Sequence, residues 1–153
     1  MSANPDSPPS AQPAAPENAR RSVEVAIAII LDPATQQILI CKRKADAVLG
    51  GFWEFPGGKC GPSESPADCA RRETAEETGL TIVVDRALAI IEHDYPHARV
   101  RLHPFLCHWT GGELQPLEVA EAKWVATEAL ADYPFPEANA TLIRSLMNDQ
   151  GRR

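Results

Sequence analysis

The sequence holds no apolar run approaching the roughly 18 residues that a membrane-spanning helix needs, which excludes a helical membrane protein. Basic residues are the minority charge: 15 Lys and Arg stand against 21 Asp and Glu, a formal net charge of −6. So acidic a chain is a poor nonspecific nucleic-acid binder, because the phosphate backbone demands a positive surface. Small anions could still bind through local basic groups or metal ions. Cysteine is scarce, at Cys41, Cys60, Cys69 and Cys107 only, with no C-x-x-C pair and no His at zinc-finger spacing. That density makes no disulfide scaffold. The expectation is four reduced thiols in a cytoplasmic protein. No apolar segment opens the chain as a secretory signal would, and no internal repeat is visible. What is there is 153 residues, 44% of them hydrophobic, which suits one domain with a core of its own. At this level the surplus carboxylates read as a solvated surface.

Residues 1–21 stand apart. Pro5, Pro8, Pro9, Pro13 and Pro16 are mixed there with Ala, Ser, Asn and Gln, and no periodic apolar pattern forms. The expectation is a disordered tail over 1–21 and one folded domain over 22–150. Ser22–Leu31 and Ile38–Arg43 read as strands, with Phe52–Phe55 a short aromatic segment stopped by Pro56-Gly57-Gly58. Pro66–Thr78 reads as a helix: Ser65 suits the N-cap, Pro66 the first helical position and Gly79 the C′ position. Thr81–Glu92, Arg99–Trp109 and Ala122–Val125 read as further strands, with a turn at Gly111-Gly112. One helical turn is expected at Thr127–Ala131 and a closing helix at Pro136–Met147. Strands and helices alternate without a regular βαβ repeat, so the fold class is α/β (α+β), a mixed sheet with a helix on each face.

The informative segment is Gly58–Leu80, GKCGPSESPADCARRETAEETGL. Glu73, Glu76 and Glu77 sit at i, i+3 and i+4, so a helix gathers them on one face. They also crowd the last turn, where the helix dipole favours cations. Such a local conflict is what a functional site produces. Clustered oxygen ligands suit a hard divalent cation, Mg²⁺ or Mn²⁺. Arg72, four residues before Glu76, is placed to orient it. Lys59, beside Gly57-Gly58, is placed to neutralise phosphate. A charged surface helix balanced by Arg71 and Arg72 would show the same triad.

The spacing is more specific than the triad. The segment resembles the Nudix hydrolase signature, G-x5-E-x7-R-E-U-x-E-E-x-G-U, where U is aliphatic. Here the fixed letters fall on Gly58, Glu64, Arg72, Glu73, Glu76, Glu77 and Gly79, and every one matches. At about 7% per residue, seven matches arise by chance at roughly 10⁻⁸ per start position. Thr74 stands where an aliphatic residue is usual; its methyl is expected to be buried and its hydroxyl to bond a backbone carbonyl. Gly61 stands where many relatives carry a further Glu. Phe52–Lys59 and Lys42–Asp46 are similar to the lead-in of the MutT-like branch.

The resemblance spans most of residues 22–147. It implies an α/β/α sandwich whose box forms a loop–helix–loop, and metal-dependent hydrolysis of a nucleoside diphosphate linked to another moiety. On this chain it implies Gly58, Glu73, Glu76 and Glu77 as metal ligands, braced by Glu64 and Arg72. A glutamate from a later loop serves the metal site in MutT-like proteins. Glu118 and Glu121 both precede the strand at Ala122–Val125, and Glu118 has the better spacing. The segment Tyr133–Asn139 is similar to one in which an Asn reads the edge of an oxidised guanine, which makes Asn139 the candidate base reader. Arg43 could meet base or phosphate, and Tyr95 or Phe55 could stack on the base; both rings could equally be core. The four histidines show no ligand spacing.

The resemblance implies a nucleoside triphosphate pyrophosphohydrolase acting on an oxidised purine such as 8-oxo-dGTP, a role in nucleotide-pool cleansing. CTP or dCTP hydrolysis and other nucleoside-diphosphate-X substrates are the alternatives within the family. A noncatalytic nucleotide sensor and a lesion-recognition domain of a DNA repair enzyme are the alternatives outside it. The expected partner is the nucleotide itself, with no nucleic acid and no membrane, and the chain a monomer or homodimer.

Overall fold

In the computed structural model, which describes residues 21–152, alternating side chains along the first strand already set the architecture. Strand β1 (Arg21–Leu31) sends Ala26, Ala28 and Ile30 to one face and Ile27 and Ile29 to the other. Both faces are buried, which explains its near-continuous apolar run. Around it lie β2 (Ile38–Lys42), β3 (Trp53–Glu54), β4 (Gly57–Lys59), β5 (Leu80–Ala87), β6 (Ile91–Tyr95), β7 (Ala98–Gly112) and β8 (Glu121–Val125). They form one eight-stranded mixed sheet with the path β3-β2-β1-β7-β5. Strands β1 and β7 run parallel from Arg21↔Ala98 to Leu31↔His108, and the other pairs are antiparallel.

Helix α1 (Pro66–Thr78) covers the face of Ala26, Ala28 and Ile30, where small residues let it approach through Cys69 and Ala70. Helix α2 (Ala140–Arg152) covers the opposite face, with Leu142 against Ile27, Ile29, Ile38 and Ile40. The expected mixed sheet with a helix on each face is therefore what forms. Among the described residues no helix is long and apolar enough to cross a membrane. The expectation for the tail lies outside the described residues, apart from Arg21, which begins β1.

Several sequence expectations need correction. Thr81–Glu92 is two strands, because β5 pairs the C-terminal half of β7 while β6 pairs its N-terminal half. Pairing stays with β7 throughout, but its register slips by one residue between Ala87↔Phe105 and Ile91↔Leu102, and at the break Leu88 N–H donates to the Pro104 carbonyl at 2.9 Å. Gly111-Gly112 is the end of β7 and not a turn; Gly112, at φ 88°, lies so close to the Gly79 carbonyl that a Cβ would meet it. The segment after Phe55 does not leave the sheet: Gly57–Lys59 pairs with Val25–Ile27 of β1. The closing helix begins later than expected. Glu137–Asn139 is a separate 3₁₀ turn, and α2 starts at Ala140 and runs beyond Met147. The turn expected at Thr127–Ala131 is a 3₁₀ helix, Thr127–Asp132.

Candidate functional site

Helix α1 is fixed at both ends by its own sequence. The Ser65 hydroxyl accepts from Asp68 N–H at 3.1 Å, Pro66 occupies the first turn, and Gly79 at φ 79° donates to the Ala75 carbonyl at 3.0 Å. No basic residue neutralises the last turn. Thr78 compensates locally, its hydroxyl donating to the Thr74 carbonyl at 2.7 Å. The expectation for Thr74 is half right. Its side chain is fully buried, but its hydroxyl has no hydrogen-bond partner.

One guanidinium organises the box. Arg72 donates from Nε to Glu64 Oε2 at 2.7 Å and from Nη2 to Glu64 Oε1 at 2.9 Å. Its Nη1 reaches Glu73 at 3.0 Å and Glu76 at 3.2 Å, and Nη2 reaches the Lys59 carbonyl at 3.3 Å. Glu64 also accepts from Gly61 N–H at 2.9 Å. The Arg72 bond first, then the Gly61 bond, hold its carboxyl down at about 2. Arg72 thus ties Glu64, Glu73 and Glu76 together, while Glu76 remains on the exposed side.

Glu73 and Glu77 lie inward of Arg72. Glu77 is 9% exposed and accepts from Gly57 N–H at 3.2 Å. Burial, then the negative charge of Glu54, push its carboxyl up to about 9, and Glu73 adds to the effect. Glu73 lies flat against Gly58, where a Cβ would come within 2.6 Å of the carboxyl carbon. Gly57, at φ 156°, crosses β1 so closely that a Cβ would meet the Ala26 carbonyl. The two glycines therefore let the loop lie between sheet and helix. A buried carboxyl raised by the negative charge of two neighbouring carboxylates, beside a backbone carbonyl, fits a hard divalent cation. Among the described residues no group of three Asp, Glu, His or Cys side chains is arranged to hold a metal ion, so Glu73, Glu76 and Glu77 are not gathered into a ligand set by themselves. Mg²⁺ commonly takes one or two protein carboxylates and completes its shell with substrate phosphates and water.

The loop carrying Glu118 is stitched to the end of α1. Gln115 N–H donates to the Thr78 carbonyl and Leu117 N–H to the Glu77 carbonyl, both at 2.9 Å. Glu118 N–H reaches the same Glu77 carbonyl at 3.4 Å, and the Glu118 side chain is exposed. Glu121 is farther along, in β8, paired with Lys42.

Across β4 from the box lies a cavity of about 370 Å³. Its wall includes Arg43, Glu54, Phe55, Lys59, Tyr95 and Asn139, and it reaches Gly58. All four residues suggested for substrate contact are therefore brought together. Asn139 is 9% exposed and ends the 3₁₀ turn, its N–H donating to the Pro136 carbonyl at 3.0 Å. That turn is anchored upstream, where Trp53 N–H donates to the Pro134 carbonyl at 2.8 Å and Phe135 packs on Phe55. Phe55 is 2% exposed, so it is chiefly core with an edge in the wall. Tyr95 presents a ring between those of His93 and His97.

Sequence reasoning passed over Glu54. Its Oε1 accepts from Arg43 Nη1 at 2.7 Å, and burial raises its pKa against the pull of that arginine. Arg43 Nε is also tied, to the Val48 carbonyl at 2.6 Å. Glu54 thus links the cavity to the charge of Glu77 and Glu73. The available signal was an acid between two apolar aromatics in a short strand, where a solvated residue is not expected.

Comparison with known proteins agrees with this geometry. The NUDIX domain family matches residues 26–145. An Escherichia coli protein named 8-oxo-dGTP diphosphatase is 30% identical over 82% of this chain and 97% of its own length. An Escherichia coli CTP pyrophosphohydrolase is 31% identical over 83% of this chain and 93% of its own. The structure of a MutT protein from Methanosarcina mazei superposes with a TM-score of 0.75 at 22% identity, covering 86% of this chain and 96% of that one, a likeness of fold. With the box, the sandwich and these relatives in agreement, the chain belongs to the NUDIX domain family, as a MutT-like Nudix hydrolase.

Proposed function

We propose that the chain hydrolyses nucleoside triphosphates to monophosphate and pyrophosphate, with 8-oxo-dGTP the favoured substrate and Mg²⁺ or Mn²⁺ the cofactor. The observation that carries this reading is Asn139: a nearly buried amide in the wall of a cavity that opens onto Gly58 and the box. An amide offers a donor and an acceptor side by side, which suits the edge of an oxidised purine. A site that must satisfy such a group discriminates strongly against an analogue lacking it. The relatives named for 8-oxo-dGTP support the same substrate.

The residues divide the work by position. A divalent cation held by Glu73, Glu76, Glu77 and the Gly58 carbonyl would polarise phosphate oxygens and lower the pKa of the attacking water. Glu64 and Arg72 keep the inner carboxylates in place. Glu118, on a loop pinned to Glu77, accepts the proton that the water loses. Lys59, at the cavity edge beside Gly58, balances phosphate charge. Asn139 holds the base edge, Tyr95 and the edge of Phe55 meet its face, and Arg43, fixed by Glu54, closes the wall.

A panel of 8-oxo-dGTP, dGTP, CTP, dCTP and ADP-ribose with Mg²⁺, read for pyrophosphate and monophosphate, tests the reading. The expected result is highest kcat/KM for 8-oxo-dGTP with both products in equal amounts. Preference for CTP would move the chain toward the CTP pyrophosphohydrolase relative, and hydrolysis of none would favour a nucleotide sensor.

A further inference from the structure

The four thiols are not equivalent. Cys41 and Cys107 are buried, and the reaction above uses neither Cys60 nor Cys69. Yet Cys60 packs against the core cluster that contains Cys69, at the foot of the box. Cys60 follows β4 directly, held by its N–H to the Glu24 carbonyl at 2.9 Å. It is half-buried and lines an open recess with Ser22, Lys59, Glu64 and His97. Cys69 lies buried behind it in the first turn of α1. The Cys69 thiol donates to the Gly58 carbonyl at 3.4 Å, and Arg72 Nη2 approaches its sulfur at 3.9 Å. A thiol at an open recess backed by a buried one is the arrangement in which a first oxidation is resolved within the chain.

We infer that Cys60 and Cys69 are a redox modification site, which a low-molecular-weight disulfide closes into a Cys60–Cys69 bond. The Cys60 sulfur, its proton passing to water, displaces one half of the small disulfide. That S–S bond breaks, a Cys60 mixed disulfide forms, and the leaving sulfur takes up a proton as a free thiol. The Cys69 sulfur then attacks Cys60, forming the internal bond and releasing the second half as thiol. Two protein thiols are oxidised and one small disulfide is reduced to two thiols. The new bond removes the hydrogen bond from Cys69 to the Gly58 carbonyl and ties the Gly58 strand to the helix that bears Glu73. Reversible inhibition follows, and this consequence rests on the hydrolytic reading of the box.

The test treats the reduced full-length chain with glutathione disulfide, alkylates the remaining thiols after denaturation, and maps disulfides by peptide mass. The expected map shows a Cys60–Cys69 link with Cys41 and Cys107 alkylated, reversed by dithiothreitol. Four alkylated cysteines, a link through Cys41 or Cys107, or glutathione persisting on Cys60 in the unsubstituted chain would overturn the pair. Cys69→Ser is expected to trap glutathione on Cys60. Cys60→Ser is expected to block both adduct and link and to keep the turnover of the reduced chain. Oxidised unsubstituted chain is expected to lose about tenfold or more in turnover, the scale of a disturbed ligand support, and to recover with dithiothreitol. Unchanged turnover on full linkage would overturn the coupling to the box. The disulfide map decides the pair even if no nucleotide is hydrolysed.

Discussion

The two faces of the sheet are built in different ways. Under α1 the packing is close and small, with Ala26, Ala28, Cys69 and Ala70, and the polar work is done by short-range bonds inside one segment. Arg72, Glu64, Glu73, Glu76 and Gly61 all lie within sixteen consecutive residues, numbers 61–76. Under α2 the packing is bulky, with Ile27, Ile29, Trp53, Phe55 and Leu142. The cavity on that side is assembled from segments far apart in the chain, around Val25, Arg43, Tyr95 and Asn139. Chemistry common to a family can be encoded in one contiguous box. In the proposed reading, the choice of substrate is left to residues that meet only when the chain folds.

The comparison breaks most sharply at Glu77. Glu77→Gln keeps the size and the acceptor for Gly57 N–H but removes the charge. Turnover with Mg²⁺ is expected to fall by about 10³-fold, the several kcal/mol that a metal-assisted site supplies. Circular dichroism should show the fold intact, since a buried and mutually repelling carboxylate has been neutralised. Turnover within a few-fold of the unsubstituted chain would remove Glu77 from the metal set.

Arg72→Ala acts one layer out. It releases Glu64, Glu73 and Glu76 together, and a loss of about 10–100-fold in activity or metal affinity is expected from a disturbed outer shell. Acid stability provides a second readout. Glu64 is held from the usual 4.5 down to about 2, so its ion pair stabilises the fold above that usual value and is lost as pH falls toward 2. In Arg72→Ala the thermal midpoint should therefore fall less between pH 5 and pH 2 than it does in the unsubstituted chain. Equal slopes would contradict the brace.

The smallest effect belongs to the dry side of the box. Thr74 buries a hydroxyl without a partner. Thr74→Val is expected to stabilise the chain by about 1 kcal/mol, the cost of a buried unsatisfied group, with kcat unchanged. Chemical denaturation checks it, and a loss of stability would mean that the hydroxyl is satisfied.

The same division explains what the sequence could show. Helix α1 was legible to the residue, because Ser65, Pro66 and Gly79 specify its ends locally. So was the strand over Ser22–Leu31, which β1 matches to within one residue. The division of Thr81–Glu92 was not, since it depends on a one-residue slip of register against β7, a strand that lies downstream. Gly111-Gly112 misled for a related reason: the residues allow a turn, and the close approach of Gly79 makes them strand instead. Asn139 was suggested by resemblance, but its burial depends on Trp53 and Phe55 anchoring the segment before it. Glu54 was missed because its significance comes from Arg43, Glu73 and Glu77, none of which is its neighbour in sequence.

In the proposed reading, the cavity on the α2 side chooses the base for the carboxylates on the α1 side. The most direct measurement is the ratio of kcat/KM for 8-oxo-dGTP to that for dGTP, in the unsubstituted chain and in Asn139→Ala. The ratio is expected to collapse by about 10–100-fold in the variant, from the loss of one buried polar contact, with dGTP turnover little changed. An equal ratio in the two proteins would contradict it.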